Sequence, residues 1–126
     1  MSKILQIFDH DIVTDKIKSV AKDLGLEYVY SENIEKAKQE INIDETELIF
    51  IMFSNAEDTF EDQFRQLQKE AKNIPIILVM GADEEQLYDI VLFREVVDYL
   101  NANIEINELR EYIKYRLKKY KLIDKN

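Results

Sequence analysis

Residues that could do chemistry occur in two short acidic stretches of the sequence. Asp9-His10-Asp11 follows an apolar run, and SNAEDTFED (54–62) holds Glu57, Asp58, Glu61 and Asp62. Carboxylates can ligate a hard metal ion, and paired carboxylates can act as general acid and base. The same residues also suit structural roles, because Asp11 can cap a helix and acids near a helix N-terminus complement its dipole.

The chain offers few partners for these acids. His10 is the only histidine and there is no cysteine, which excludes two-histidine metal sites, thiolate sites, disulfides and a cysteine nucleophile. No nucleophile–base pair can be assembled, so we predict no catalytic residue and no enzyme. We expect His10 to be an exposed loop residue and the metal site to be absent, with Asp9 as a vestigial acid.

Five alternating strand and helix patterns must position these residues. The predicted strands are short apolar runs at 4–8, 28–31, 48–54, 74–81 and 96–100. Apolar residues at helical spacing follow each run, in helices that begin near Val13, Ile34, Phe60, Asp83 and Ile106. Gly25 stands where the C-cap of the first helix needs a positive φ.

The order of these elements predicts an α/β fold. The third and fourth runs are apolar throughout, which is typical of parallel strands covered by helices on both faces. Right-handed crossovers then give a doubly wound, flavodoxin-like sheet of five parallel strands in the order 2-1-3-4-5, with five helices. Any ligand should lie outside the carboxyl ends of strands one and three. We place the domain at 1–122, with 123–126 as a tail or the start of a linker.

Composition limits the partners and the compartment. The 126 residues carry a net charge of -9, which disfavours a phosphate backbone as partner, so we predict no nucleic acid. No apolar stretch is long enough to cross a membrane. The first residues, MSKILQIF, show no secretory core or cleavage site, and we expect a cytoplasmic protein.

The ordered set of segments resembles the receiver domain of bacterial two-component response regulators, the CheY-like family. The segments that carry this resemblance are KDLGLEYVYSENIEKA (22–37), IPIILVMG (74–81) and DYLNANI (98–104). Met80 and Tyr99 lie 19 positions apart, the separation between the switch hydroxyl and the switch aromatic of that family. The resemblance covers roughly Lys3 to Leu122.

The resemblance implies a phosphorylation chemistry whose residues are missing here. Met52 stands at the phosphoacceptor Asp, Met80 at the hydroxyl residue and Ala102 at the Lys, with Asn103 at the Pro that follows it. Spacing from Gly25 puts Phe8 and Asp9 on the Mg²⁺-binding acid pair. A shift of one residue would put Asp9 and His10 there, with Asp11 next.

These replacements remove what acyl-phosphate chemistry requires. A thioether has no anionic oxygen to attack phosphorus, and it is a poor ligand for Mg²⁺. Ala102 supplies no cation for the phosphoryl oxygens. We therefore predict a degenerate pocket formed by Phe8, Asp9, Met52, Met80 and Ala102, in which both methionines pack on Phe8 as one apolar plug and no cofactor binds.

The resemblance also implies a partner face, formed by the fourth helix, the fifth strand and the fifth helix. Its residues here are Tyr88, Val91, Leu92, Tyr99 and Tyr112. Tyr99 stands at the switch aromatic, either locked inward or outward, or simply suited to a strand. We predict a phosphorylation-independent pseudo-receiver that binds a protein partner or itself through this face. The alternatives are a small-ligand sensor at the strand carboxyl ends and a conventional receiver with a non-standard site.

Overall fold

The computed structural model describes residues 2–52, 60–80 and 98–124. They form one parallel sheet with helices on both faces. The elements in chain order are β1 (Lys3–Ile7), α1 (Val13–Asp23), β2 (Glu27–Ser31), α2 (Ile34–Glu40), β3 (Thr46–Met52), α3 (Phe60–Ala71), β4 (Ile76–Met80), β5 (Asp98–Asn101) and α4 (Ile106–Asp124). The predicted helix from Asp83 lies outside the described residues, so α4 corresponds to the fifth helix of the sequence prediction.

The sheet has the predicted strand order, β2-β1-β3-β4-β5. Every neighbouring pair is parallel, with Ile7 opposite Ile51 and Met52 opposite Val79. The doubly wound, flavodoxin-like fold is therefore confirmed. β3 begins two residues earlier than its apolar run, at Thr46, and α4 continues beyond the predicted end of the domain to Asp124.

Two separate cores flank the sheet, because successive residues of a strand point to opposite faces. Leu48, Phe50 and Met52 of β3 face α1 and α4, whereas Ile49 and Ile51 face α2 and α3. β3 is buried along almost its whole length, as expected for a central strand covered on both sides. No helix within the described ranges combines the length and apolar character needed to cross a bilayer.

Local hydrogen bonds fix the C-terminal end of α1. Gly25 has a φ of 71°, as the sequence predicts, and the amides of Gly25 and Leu26 donate to the carbonyls of Lys22 and Ala21 at 3.2 and 2.8 Å. This pair of bonds is the Schellman ending of a helix. It turns the chain directly from α1 into β2.

The predicted N-terminal cap of α1 is wrong. Asp11 does not cap the helix; instead, Nδ1 of His10 accepts from the amides of Ile12 and Val13 at 3.1 and 3.4 Å. His10 is consequently partly buried rather than exposed. A ring nitrogen can replace the usual side-chain oxygen because it offers the same kind of acceptor to the free amides of the first turn.

Truncating a central core residue tests the role of β3. Phe50 is fully buried, so Phe50→Ala should lower the free energy of unfolding by roughly 3–5 kcal/mol in urea denaturation. Ile43→Ala is the matched control, because Ile43 is half-exposed in a turn and its loss should change stability by less than ~0.5 kcal/mol. Equal effects of both substitutions would contradict this packing.

The cap of α1 gives a second test. His10→Ala removes the acceptor of two amides and should cost about 1 kcal/mol of unfolding free energy at neutral pH. Asp11→Ala, next to it in the chain, should cost less than ~0.5 kcal/mol. If the Asp11 variant lost more unfolding free energy than the His10 variant, the Asp11 carboxylate would be the cap of α1 instead.

Candidate functional site

The carboxyl ends of the strands meet at one edge of the sheet, where flavodoxin-like folds place their sites. Phe8 follows β1, Met52 ends β3, Met80 ends β4 and Ala102 follows β5. The parallel register brings the ends of β1, β3 and β4 side by side. The residues of the predicted degenerate pocket therefore lie along this edge.

Three of these positions are filled with buried apolar side chains. Met52 is 4% exposed, Met80 is 6% exposed and Ala102 is 1% exposed. The amide of Ala102 donates to the carbonyl of Met80 at 2.7 Å, which ties the chain after β5 to the end of β4. No side chain among the three can carry a charge or accept a strong hydrogen bond.

The prediction of one plug made by two methionines is wrong in its geometry. Met52 belongs to the core on the α1 and α4 side, together with Val13 and Ala102. Met80 belongs to the core on the α2 and α3 side. Because the two side chains point to opposite faces of the sheet, each one closes a different core.

Phe8 joins the two cores around the end of β1. It is partly buried and packs against both of them. Its φ is 68°, in the left-handed region that bulky residues seldom adopt. Hydrogen bonds on both sides hold this backbone, because the amide of Phe8 donates to the Ser31 carbonyl at 3.0 Å and its carbonyl accepts from Nε2 of Gln6 at 2.9 Å.

Asp9, the acid that the resemblance places at a Mg²⁺ position, is part of the β1–α1 turn. Its Oδ1 accepts from the Thr14 hydroxyl at 2.8 Å and from the His10 amide at 2.9 Å. Thr14 lies in the first turn of α1, so this carboxylate fastens the turn to the helix that follows it. Asp9 is exposed on its other side.

The Thr14 hydroxyl continues this network into the sheet. Gln6 is fully buried in β1, and its Nε2 donates to Oγ1 of Thr14 at 2.8 Å and to the Phe8 carbonyl. Its Oε1 accepts from the Tyr28 hydroxyl at 2.7 Å. The amide of Gln6 is therefore satisfied at both ends, as a buried polar group requires.

Sequence reasoning missed this Gln6–Thr14–Asp9 network. The available signal was the single polar residue in the run ILQIF, since a buried strand accepts glutamine only where partners for its amide are close. Those partners come from β2 and α1, which are distant in sequence. The pattern alone could not place them.

The residues at this edge do not fit the Mg²⁺ ion that the receiver fold implies. Mg²⁺ takes several oxygen ligands in near-octahedral geometry. Phe8, Met52, Met80 and Ala102 have no side-chain oxygen, and Oδ1 of Asp9 already accepts two hydrogen bonds. Within residues 2–52, 60–80 and 98–124, no three His, Asp or Glu side chains come together in a possible metal-binding group.

Two of the five residues of the predicted partner face, Tyr99 and Tyr112, lie within the described residues. Tyr99, which the resemblance places at the switch position, lies on β5 and is 51% exposed. Tyr112 lies on α4, partly buried, with the Arg116 guanidinium 5.5 Å from the centre of its ring. Tyr88, Val91 and Leu92 are outside the described residues.

The second acidic stretch is likewise placed only in part. Glu57 and Asp58 lie outside the described residues, and Asp62 is exposed in the first turn of α3.

Tyr28 provides a probe of the buried network. Burial, and then the negative charges of Asp9, Tyr30 and Asp15, raise the pKa of the Tyr28 hydroxyl from 10.0 to about 12. Since the unfolded chain deprotonates first, Tyr28 stabilises the fold fully below pH 10, and this contribution should be lost between pH 10 and about 12. A tyrosinate absorbance titration should show a late-titrating component that belongs to Tyr28.

Tyr28→Phe should remove this component, and it should also lower stability at neutral pH by about 1 kcal/mol because Gln6 loses a donor. Tyr115→Phe, on the exposed side of α4, should leave the component in place. The assignment of the raised pKa would be rejected if the late component persisted in the Tyr28 variant.

Comparison with known proteins shows the fold but no close relative. Neither a protein-family model nor a curated protein matches the sequence. A response regulator receiver domain protein from Clostridium thermocellum is 17% identical with a TM-score of 0.74, over 98% of this chain and 99% of that chain. The signal receiver domain of an HD domain-containing protein from Pseudomonas fluorescens is 12% identical with a TM-score of 0.77, over 99% and 93%.

Part of a larger protein has a similar fold. NtrX from Brucella abortus is 17% identical with a TM-score of 0.78 over 99% of this chain, which spans 29% of the NtrX chain. Identities this low show the architecture alone. The chain therefore has the flavodoxin-like fold of response regulator receiver domains, and the carboxyl edge of its sheet carries the buried apolar side chains of Met52, Met80 and Ala102.

Proposed function

We propose that this chain is a receiver-like signalling module that acts without phosphorylation and binds a protein partner or a second copy of itself. It is a binding module rather than an enzyme. The observation that carries the proposal is the burial of Met52, Met80 and Ala102 at the carboxyl ends of three strands. The receiver folds of the solved structures support the assignment to signalling.

The three apolar residues act together against phosphoryl transfer. The reaction needs a nucleophilic oxygen, a cation or metal ion at the spreading negative charge, and donors around the phosphoryl oxygens. A buried thioether at residue 52 supplies no nucleophile, and a methyl group at residue 102 supplies no cation. A phosphoryl group at this edge would also have to displace well-packed apolar atoms.

Asp9, the acid that follows Phe8, does not replace the missing nucleophile. It is held by Thr14 and His10, and its rotation toward the end of β3 would leave the Thr14 hydroxyl without its acceptor and remove one of the two acceptors of the His10 amide. Losing hydrogen bonds to a charged group costs about 1.5–3 kcal/mol each. The local energetics therefore favour Asp9 as a structural residue.

The surface that would bind a partner needs no change of conformation before it can bind. Coupling in a receiver requires a ligand or modification that favours one of two states. Met80 has no hydroxyl with which to draw Tyr99 inward, and Tyr99 is already exposed. We infer that the face around β5 and α4 is held in one arrangement, so a partner would recognise it at all times.

Treatment with a small phosphodonor such as acetyl phosphate and Mg²⁺ tests this function. Intact mass spectrometry should show no phosphoryl adduct, and beryllofluoride with Mg²⁺ should leave the amide resonances of Met52, Met80 and Tyr99 in place. The oligomeric state, measured by light scattering, should be the same with and without these reagents. The positive control is a receiver domain with an intact phosphoacceptor aspartate, treated in parallel with the same reagents.

An acid-labile adduct would contradict the proposal and indicate a conventional receiver with a displaced acceptor. Asp9→Asn and Asp58→Asn would then locate the modified residue, because only the variant that lacks the acceptor would lose the adduct. Chemical shift changes confined to Asp9 on addition of Mg²⁺ alone would also overturn the assignment of that carboxylate.

A further inference from the structure

The strand β2 forms one edge of the sheet, with β1 as its only strand neighbour among the described residues. At its two ends, the Glu27 amide donates to the Ser2 carbonyl and the Ser31 carbonyl accepts from the Phe8 amide. Alternate residues of a parallel strand bond to the same neighbour. The amides and carbonyls of Tyr28 and Tyr30 consequently point away from β1, toward the open edge.

The side chains of these two tyrosines lie on the face covered by α1. Tyr28 packs against the core on that side, and Tyr30, two residues on, shares its direction and is 45% exposed. Open edges with exposed aromatic residues are suited to pairing with a further strand. The edge therefore offers both backbone groups and side-chain surface.

An open cleft of about 680 Å³ lies beside this edge, between α1 and the start of β2. Leu26 and the ring of Tyr28 supply apolar surface, and Lys18 and Lys22 line the helical wall. A Cβ atom at Gly25 would have no atom within 4 Å, so the end of the cleft next to this residue is open. A side chain projecting from an added strand toward α1 would enter this space.

The cleft is lined by two lysines, Lys18 and Lys22, and by one carboxylate, Glu27, so its charged groups are net positive in a chain of net charge -9. Lys18 and Lys22 lie one helical turn apart, and the Lys18 ammonium is 5.9 Å from the centre of the Tyr28 ring. Asp23, the acid next to Lys22 in the chain, pairs with Arg110 of α4 at 2.7 Å instead. In a protein of net charge -9, these two ammonium groups select a negatively charged occupant.

We propose that the β2 edge and this cleft bind an extended, acidic segment of a partner protein. The segment adds as a strand beside β2, hydrogen bonds to the backbone of Tyr28 and Tyr30, and places carboxylates near Lys18 and Lys22. An apolar side chain between them fills the space over Leu26. Each of these contacts uses a group that already faces the cleft or the open edge.

A second copy of the chain fits this surface less well than an acidic segment. Strand β2 of a second copy carries a single acid, Glu27, whereas an acidic segment can place a carboxylate beside each of the two lysines of the cleft. The proposal is independent of the function inferred for the carboxyl edge of the sheet. The β2 edge would bind its segment whether or not the chain can be phosphorylated.

The test uses the full chain and a short synthetic peptide with blocked ends that alternates Glu and Val. Isothermal titration should detect binding that weakens as salt is raised, because the ion pairs are exposed. A peptide that alternates Lys and Val should not bind. The acidic peptide N-methylated at alternate amides should also fail, because it cannot form a strand ladder on β2.

Two paired variants separate the cleft from the general charge of the protein. Lys18→Gln with Lys22→Gln should weaken acidic-peptide binding about three- to tenfold. Lys69→Gln with Lys72→Gln removes the same charge from exposed positions at the end of α3 and should leave the affinity unchanged. Far-ultraviolet circular dichroism shows that each variant is folded before its affinity is interpreted.

Amide hydrogen exchange reports directly on the edge. The Tyr28 and Tyr30 amides should exchange readily in the free chain and become protected when the acidic peptide is bound. The proposal is overturned if the acidic peptide does not bind, if the basic peptide binds equally well, or if both lysine pairs give the same affinity. It is also overturned if the two amides are protected by self-association of the free chain.

Discussion

Strand β3 is the constraint on which the rest of the structure depends. It is hydrogen bonded to β1 and β4 on its two sides, and its side chains alternate between the two cores. A strand in this position must be apolar at nearly every residue, because both of its faces are covered by helices. The same requirement applies at its end, where Met52 continues the packing of Phe50 instead of presenting a reactive group. The core is thus packed with apolar side chains up to the carboxyl end of β3.

The polar residues of the turn between β1 and α1 have structural roles. Asp9, Thr14 and Gln6 form a continuous chain of hydrogen bonds from the surface into the sheet, and His10 supplies the cap of α1. These hydrogen bonds fix the chain between the end of β1 and the first turn of α1. Phe8 can therefore keep a left-handed backbone that costs of order 1 kcal/mol or more, since hydrogen bonds on both of its sides hold it.

The regular features of this fold could be read from the sequence, whereas the contacts at its carboxyl edge could not. Apolar runs and helical spacing predicted the five strands in their correct order, and Gly25 was correctly assigned because only a few residue types favour a positive φ. The cap of α1 was assigned to Asp11 because carboxylates are common caps, but the N-cap position is Ile12 and the ring of His10 accepts from the amides of Ile12 and Val13. The single methionine plug failed because it ignored the alternation of side chains along β3 and β4, which separates Met52 from Met80. The Gln6 network depends on contacts between segments up to 22 positions apart, which local patterns do not encode.

The coupling of Asp9 to Gln6 through Thr14 limits which substitutions could build a phosphorylation site at this edge of the sheet. An aspartate introduced at residue 52 would be a buried carboxylate facing Ala102 rather than a lysine, and an uncompensated buried charge is strongly destabilising. Turning Asp9 toward a metal would also remove the acceptor of the Thr14 hydroxyl, which itself accepts from the buried Gln6 amide. Each of these changes is unfavourable until the others are present, so on the function proposed above no single substitution would give this chain a working phosphotransfer site.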